Sequence, residues 1–216
     1  MSKMNLPNKL TVLRLCLVPV LMTLLFLPDS VLPWEWAYGI GVVIFAATAV
    51  TELLDGRIAR ANGLVTNFGK FMDPVADKFM VIGTMLALLF RMMRPDIYGL
   101  TYIYSSIVVY FFAITIVVIF RELAITSLRL VLVSSSGQVV AAKMLGKIKT
   151  FSQTLAIGAL MVEPLLEKLV LYFKPDYVLQ GVYPICWFLL SAVLVFTLWS
   201  AYDYIKGGWK YIATDK

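Results

Sequence analysis

Glu52, Asp55, Asp73 and Asp77 lie in one stretch, ELLDGRIARANGLVTNFGKFMDPVAD, whose flanks are apolar enough to cross a bilayer. Ionisable side chains at lipid depth are costly, so they face a polar interior and mark functional sites. Glu52 and Asp55 are three apart and Asp73 and Asp77 four apart, so each pair shares one helix face. If the two helices pack antiparallel across the 61–70 connection, the faces converge. Four like charges in a low-dielectric place stay ionised only beside cations. Arg57, Arg60, Lys70 and Lys78 supply part of that charge. An oxygen donor set without His or Cys suits hard divalent ions such as Mg2+ or Mn2+. Two ions sharing carboxylates are a recurring solution for phosphoryl chemistry. Gly56 and Gly69, and to a lesser degree Ala59, let a ligand or a second helix approach the backbone. Packing of helices with acids paired to arginines accounts for one or two of these acids, but not for four in register.

Composition narrows the chemistry further. Histidine is absent from the 216 residues, which excludes a histidine base, nucleophile or metal ligand. Cys16 and Cys186 sit in separate apolar runs and read as small core residues, neither a disulfide framework nor a zinc site. The formal net charge of +6 suits anionic lipid surfaces or an anionic substrate, and a nucleic-acid partner is not expected. A second polar cluster fits that charge. Arg121 and Arg129 are eight apart and share a helix face, and Gly146-Lys147-Ile148-Lys149-Thr150 follows. Guanidinium and ammonium groups together make a phosphate receptor. Ordinary juxtamembrane charge against lipid headgroups competes with this reading for Lys143, and less so for Arg121 among its apolar neighbours.

The acid stretch resembles the CDP-alcohol phosphotransferase family, whose pattern is D-x2-D-G-x2-A-R-x8-G-x3-D-x3-D. Here Asp55, Gly56, Ala59, Arg60, Gly69, Asp73 and Asp77 match at the family's spacing. The first position departs: Glu52 keeps the charge on an arm one methylene longer than aspartate. The resemblance implies that Glu52, Asp55 and Asp73 are ligands of one or two Mg2+ or Mn2+ ions. It makes Asp77 the general base and also a ligand. Gly56, Ala59, Arg60 and Gly69 would line the nucleotide, together with Asn8 and Thr11. The segments NLPNKLTVLRL, VTNFGKFMDPVADK, FRELAITSLR and GKIKT extend the likeness over nearly the whole chain. They resemble the bacterial branch that forms phosphatidylglycerophosphate from CDP-diacylglycerol and glycerol 3-phosphate. On that reading Arg121, Arg129, Lys147, Lys149 and Thr150 hold the acceptor's phosphate, Glu122 helps to orient it, and the protein is a homodimer. Cardiolipin- or phosphatidylserine-forming relatives fit the acid motif equally and differ in the acceptor pocket. A cation channel or transporter predicts acids spread over the membrane depth, and a non-catalytic scaffold requires that Glu52 disable the site.

The elements that must position these residues follow from hydropathy. At 61% hydrophobic, with a mean hydropathy of +0.85, the chain is an integral membrane protein. Continuous apolar runs select helices over a barrel. The expected architecture is a single all-α catalytic domain over 1–216, with six transmembrane helices and a short N-terminal interfacial segment. The spans fall at about Leu10–Leu27, Ala37–Leu54, Phe71–Phe90, Tyr102–Phe120, Ile148–Leu171 and Val182–Tyr204. No removable signal peptide is expected, because the first run is too long and lacks a small-residue cleavage site. Asn8, Thr11 and Arg14 form a polar strip along the first helix. Two readings stand for it: an interfacial anchor with Arg14 snorkelling, or a strip that reaches the acids. With both termini on one side, that side holds all of the 19 Lys and Arg except Arg91, Arg94, Lys168 and Lys174. The positive-inside rule places the termini and the acids toward the cytoplasm of a bacterial inner membrane. No internal repeat is evident, which weakens an inverted-repeat transporter.

Overall fold

The structure is a computed structural model that describes residues 5–61, 66–94, 106–136, 144–174 and 182–212. Among these residues all regular structure is helical: α1 Leu6–Phe26, α2 Trp34–Ala61, α3 Asn67–Met92, α4 Ser106–Ser136, α5 Met144–Phe173 and α6 Pro184–Ile212. The helices overrun the expected spans, mostly at the polar end that carries the motifs. The polar start expected as a separate interfacial segment is, from Leu6 onward, the first turn of α1. Pro7 is tolerated there because the first helical N–H groups have no intrahelical partner. Part of the expected 61–70 connection, residues 62–65, lies outside the described residues, as do 95–105 and 175–181.

Among the described residues four helices carry segments long and apolar enough to cross a membrane: Leu6–Phe26, Trp34–Gly56, Ser106–Arg129 and Pro184–Gly207. α3 and α5 fall short because charged and polar residues interrupt them, among them Asp73, Asp77 and Lys78 in α3 and Lys147, Lys149 and Glu163 in α5. α1 packs against α2 and α3. α5 joins α2, α3 and α6, while α4 joins α3 and α6. One apolar core threads the helices through Leu21, Phe45, Met80, Phe111, Ile157 and Leu190. Large apolar side chains such as Val43, Phe120 and Phe188 point outward instead. A soluble surface rarely tolerates so much contiguous apolar area, whereas lipid accepts it.

The bundle is tied at the end remote from the acids. Arg91, in the last turn of α3, is fully buried. Its NH1 donates to the carbonyls of Leu25 and Leu27 at 3.1 and 3.0 Å, and its NH2 to Asp29 Oδ1 at 2.7 Å. The last carbonyls of a helix have no intrahelical donor, so a guanidinium serves as a cap supplied by another element. The guanidinium also lies 5.7 Å from the ring centroid of Tyr38. Glu163 of α5 does the converse for α6. Its carboxylate accepts the N–H groups of Ile185 and Cys186 at 2.9 and 2.7 Å, where the positive end of the helix dipole favours an anion.

Candidate active site

Three helices build the acid end. α1 brings Asn8, Thr11 and Arg14, all buried. α2 brings Glu52 and Asp55, and α3 brings Asp73 and Asp77. The Arg14 guanidinium lies across two of the acids: NH2 donates to Asp55 Oδ2 at 2.5 Å, and NH1 donates to Asp77 Oδ1. Thr11 Oγ1 donates to Asp73 Oδ1 at 2.8 Å. The polar strip of α1 therefore reaches the acids, and Arg14 does not snorkel. Its spacing puts Thr11 and Arg14 on one side of the helix, and that side is wedged against α2 and α3. A fully buried guanidinium needs compensating charge, and the fork geometry lets one arginine serve two carboxylates.

The start of α3 is fastened to the same strip. Thr66 caps α3: its Oγ1 accepts the N–H of Gly69 at 3.0 Å and donates to Asn8 Oδ1 at 2.9 Å. A Cβ at Gly69 would lie 3.2 Å from Asn8 Oδ1, 3.4 Å from Thr66 Oγ1 and 3.7 Å from Asp73 Oδ2. The glycine thus clears the junction of α1 and α3 beside Asp73. Asn8, Thr11 and Gly69 gather on the α1 side of the acids, with Asp55 behind Arg14. The side chains of Ala59 and Arg60 lie outside the described residues, and α2 runs through both positions. Gly56 sits one residue past Asp55 and is half-buried.

On the other side of the acids is a cavity of about 800 Å³. Glu52, Asp73 and Asp77 line it, and so do Arg121, Arg129, Lys147, Lys149 and Thr150. The two clusters singled out by sequence thus face one space. Several of these cations are already paired. Arg121 NH1 donates to Glu122 Oε1 at 3.0 Å, and Lys149 Nζ donates to the same oxygen. Arg121 NH2 donates to Ser200 Oγ at 2.6 Å, while its Nε is buried without a partner among the described residues. Arg129 is exposed. Its Nε donates to the Tyr204 hydroxyl at 3.2 Å, and its guanidinium lies 5.6 Å from that ring's centroid. Lys147 is exposed, and Thr150 Oγ1 donates back to the Gly146 carbonyl at 3.0 Å. Two positive groups on one carboxylate oxygen leave a net positive charge and spare N–H donors, which suits an anion entering the cavity.

The donor set fits a hard divalent cation by its chemistry, being all carboxylate oxygen. Among the described residues no three of these acids converge closely enough to hold an ion, and the Arg14 guanidinium supplies positive charge to Asp55 and Asp77. Sequence reasoning missed the part of the cavity wall made by α6. Ser200, Asp203 and Tyr204 line it, as do Thr126 of α4 and Gln153 of α5. Their only signal was polar residues interrupting or ending an apolar run.

Comparison with known proteins agrees with this geometry. Residues 4–199 match the CDP-alcohol phosphatidyltransferase family. A Bacillus subtilis protein named CDP-diacylglycerol–glycerol-3-phosphate 3-phosphatidyltransferase is 35% identical over 220 residues, covering 98% of each chain. Proteins of the same name are 30% identical in Pseudomonas fluorescens, over 98% of this chain and 94% of the relative, and in Yersinia enterocolitica, over 96% and 97%. The family match spans most of the sequence: this chain belongs to the CDP-alcohol phosphatidyltransferase family.

Proposed function

We propose that this membrane protein transfers the phosphatidyl group of CDP-diacylglycerol to glycerol 3-phosphate, giving phosphatidylglycerophosphate and CMP. The observation that carries this reading is a single cavity with three motif carboxylates on one wall and five phosphate-binding candidates on the other. Full-length relatives bearing the name of that activity support it. All six helices cross the membrane in this proposal; α3 and α5 also present apolar side chains outward, such as Phe79, Leu86, Leu155 and Leu169. The excess of Lys and Arg places both termini and the cavity on the cytoplasmic side. A homodimer is part of the same proposal.

The chain's own residues divide the work. Arg121, Arg129, Lys147, Lys149 and Thr150 hold the acceptor's phosphate, and Glu122 keeps Arg121 and Lys149 side by side. The acceptor's primary hydroxyl is then directed at Asp77. Arg14 engages Oδ1 of Asp77, and the second oxygen takes the proton as the hydroxyl attacks the β-phosphorus. One P–O bond forms to the acceptor, and the P–O bond to CMP breaks. Asn8, Thr11, Gly56, Ala59, Arg60 and Gly69 border the nucleotide on the α1 side. Glu52, Asp55, Asp73 and Asp77 would hold Mg2+ or Mn2+, two ions in this proposal, which neutralise the pyrophosphate and the departing CMP.

The test is CMP release from CDP-diacylglycerol by the detergent-solubilised protein. Release is expected only with both glycerol 3-phosphate and a divalent cation present. No release under any combination of acceptor and metal would overturn the reading. Faster release with phosphatidylglycerol or serine as acceptor would move the chain to another branch of the family.

A further inference from the structure

The floor of the cavity holds a polar side chain that the reaction above leaves unused. Gln153 lies on α5 four residues beyond Lys149, on the same helix face. It is 2% exposed, and its Nε2 has no hydrogen-bond partner among the described residues. On one side it lines the cavity; on the other it borders the apolar group of Met85, Phe111 and Ala156. Leaving a buried amide donor unpaired is unfavourable, and a methionine or leucine would fill this depth without that penalty. Thr84 and Thr197 also carry unpartnered buried hydroxyls, but neither lines the cavity. Gln153 is the one of the three whose side chain lines the cavity.

Charge assigns the ligand's chemistry. The cations one turn away claim the acceptor's phosphate, and Asp77 claims the attacking hydroxyl. A neutral amide donor suits a neutral oxygen. Glycerol 3-phosphate then has one polar group without a partner, its secondary hydroxyl. We propose that Gln153 is a specificity-determining residue whose Nε2 donates to that secondary hydroxyl. The assignment rests on the phosphatidyl-transfer reading and adds a reason for choosing a polyol phosphate over a plain hydroxyalkyl phosphate.

A cycle of two acceptors and two proteins tests it. 3-Hydroxypropyl phosphate keeps the primary hydroxyl and the phosphate of glycerol 3-phosphate but lacks the secondary hydroxyl. Wild-type protein should favour glycerol 3-phosphate by about 10- to 100-fold in kcat/KM, because the analogue leaves the buried donor unpaired. Gln153→Met keeps length and volume. It should lower kcat/KM for glycerol 3-phosphate by about 10-fold or more and leave the analogue within about 3-fold of wild type. Equal losses on both acceptors overturn the proposal. Equal kcat/KM for the two acceptors in wild-type protein overturns it whether or not the variant folds. Turnover of neither acceptor by wild-type protein overturns the phosphatidyl-transfer reading itself, and this assignment with it.

Discussion

Arg14 and Arg91 are both fully buried among α1, α2 and α3, at opposite ends, and they do opposite things. Arg91 meets three backbone carbonyls, those of Leu25, Leu27 and Leu32, and one partly exposed carboxylate, Asp29. Carbonyls do no chemistry here, so Arg91 is a cap that joins the end of α1 to α3. Among the described residues Arg14 meets carboxylates alone, and each belongs to the motif. Residue type and burial are the same; the partners separate a fastening from a working part. A buried charge whose partners are backbone atoms reports on stability, whereas one whose partners are titratable side chains reports on the site.

That contrast predicts effects of different kind and size. Asp77→Asn is the most severe for activity: kcat should fall by about 10³-fold, as expected for loss of a general base, with thermal stability little changed because the amide still accepts from Arg14. Activity intact in that variant would remove Asp77 from the role of base. Arg91→Met should act on stability instead, by about 3 kcal/mol, because it strands buried carbonyls, while turnover per folded molecule stays at the wild-type level. A detergent melt and an active-site-normalised rate read the two separately. Arg14→Lys is expected to lower kcat by about 30-fold, since a point charge cannot serve two carboxylates as a fork does. Unchanged kcat in that variant would make Arg14 a fastening like Arg91. Arg129 extends the series to an exposed arginine. Arg129→Ala should raise KM for glycerol 3-phosphate by about 10-fold without shifting the melt, and an unchanged KM removes it from the phosphate site.

The same contrast marks what could be read from the sequence. The acid spacing put Glu52 with Asp55, and Asp73 with Asp77, on shared helix faces, because helical periodicity survives folding unchanged; that Arg121 and Lys149 line the same cavity as Glu52, Asp73 and Asp77 follows only from how the helices pack. Each apolar run overlaps a helix among the described residues, and the helices extend beyond the runs. Leu6–Lys9 reads as interfacial, yet within it Asn8 is buried and accepts from Thr66 at the start of α3. Arg91 and Arg94 read as loop charges, yet both donate to carbonyls at the end of α1, Arg94 NH1 to Phe26 at 3.1 Å. Backbone acceptors have no sequence signature, so neither contact was visible. Gln153, Ser200 and Tyr204 escaped for a related reason. Their significance comes from helices that meet only in three dimensions, and no short motif records that meeting.

The bridge from Arg14 also bears on how the chain enters the membrane. Its partners lie 41 and 63 residues further along, on helices that are synthesised later. As α1 reaches the bilayer its guanidinium has neither carboxylate to meet, and an arginine within an apolar helix costs up to roughly 2.5–3.5 kcal/mol by insertion scales. The remaining apolar length of α1 must carry that burden until α2 and α3 arrive. Assembly of this corner therefore has a direction: the first helix waits, and the third completes its neutralisation.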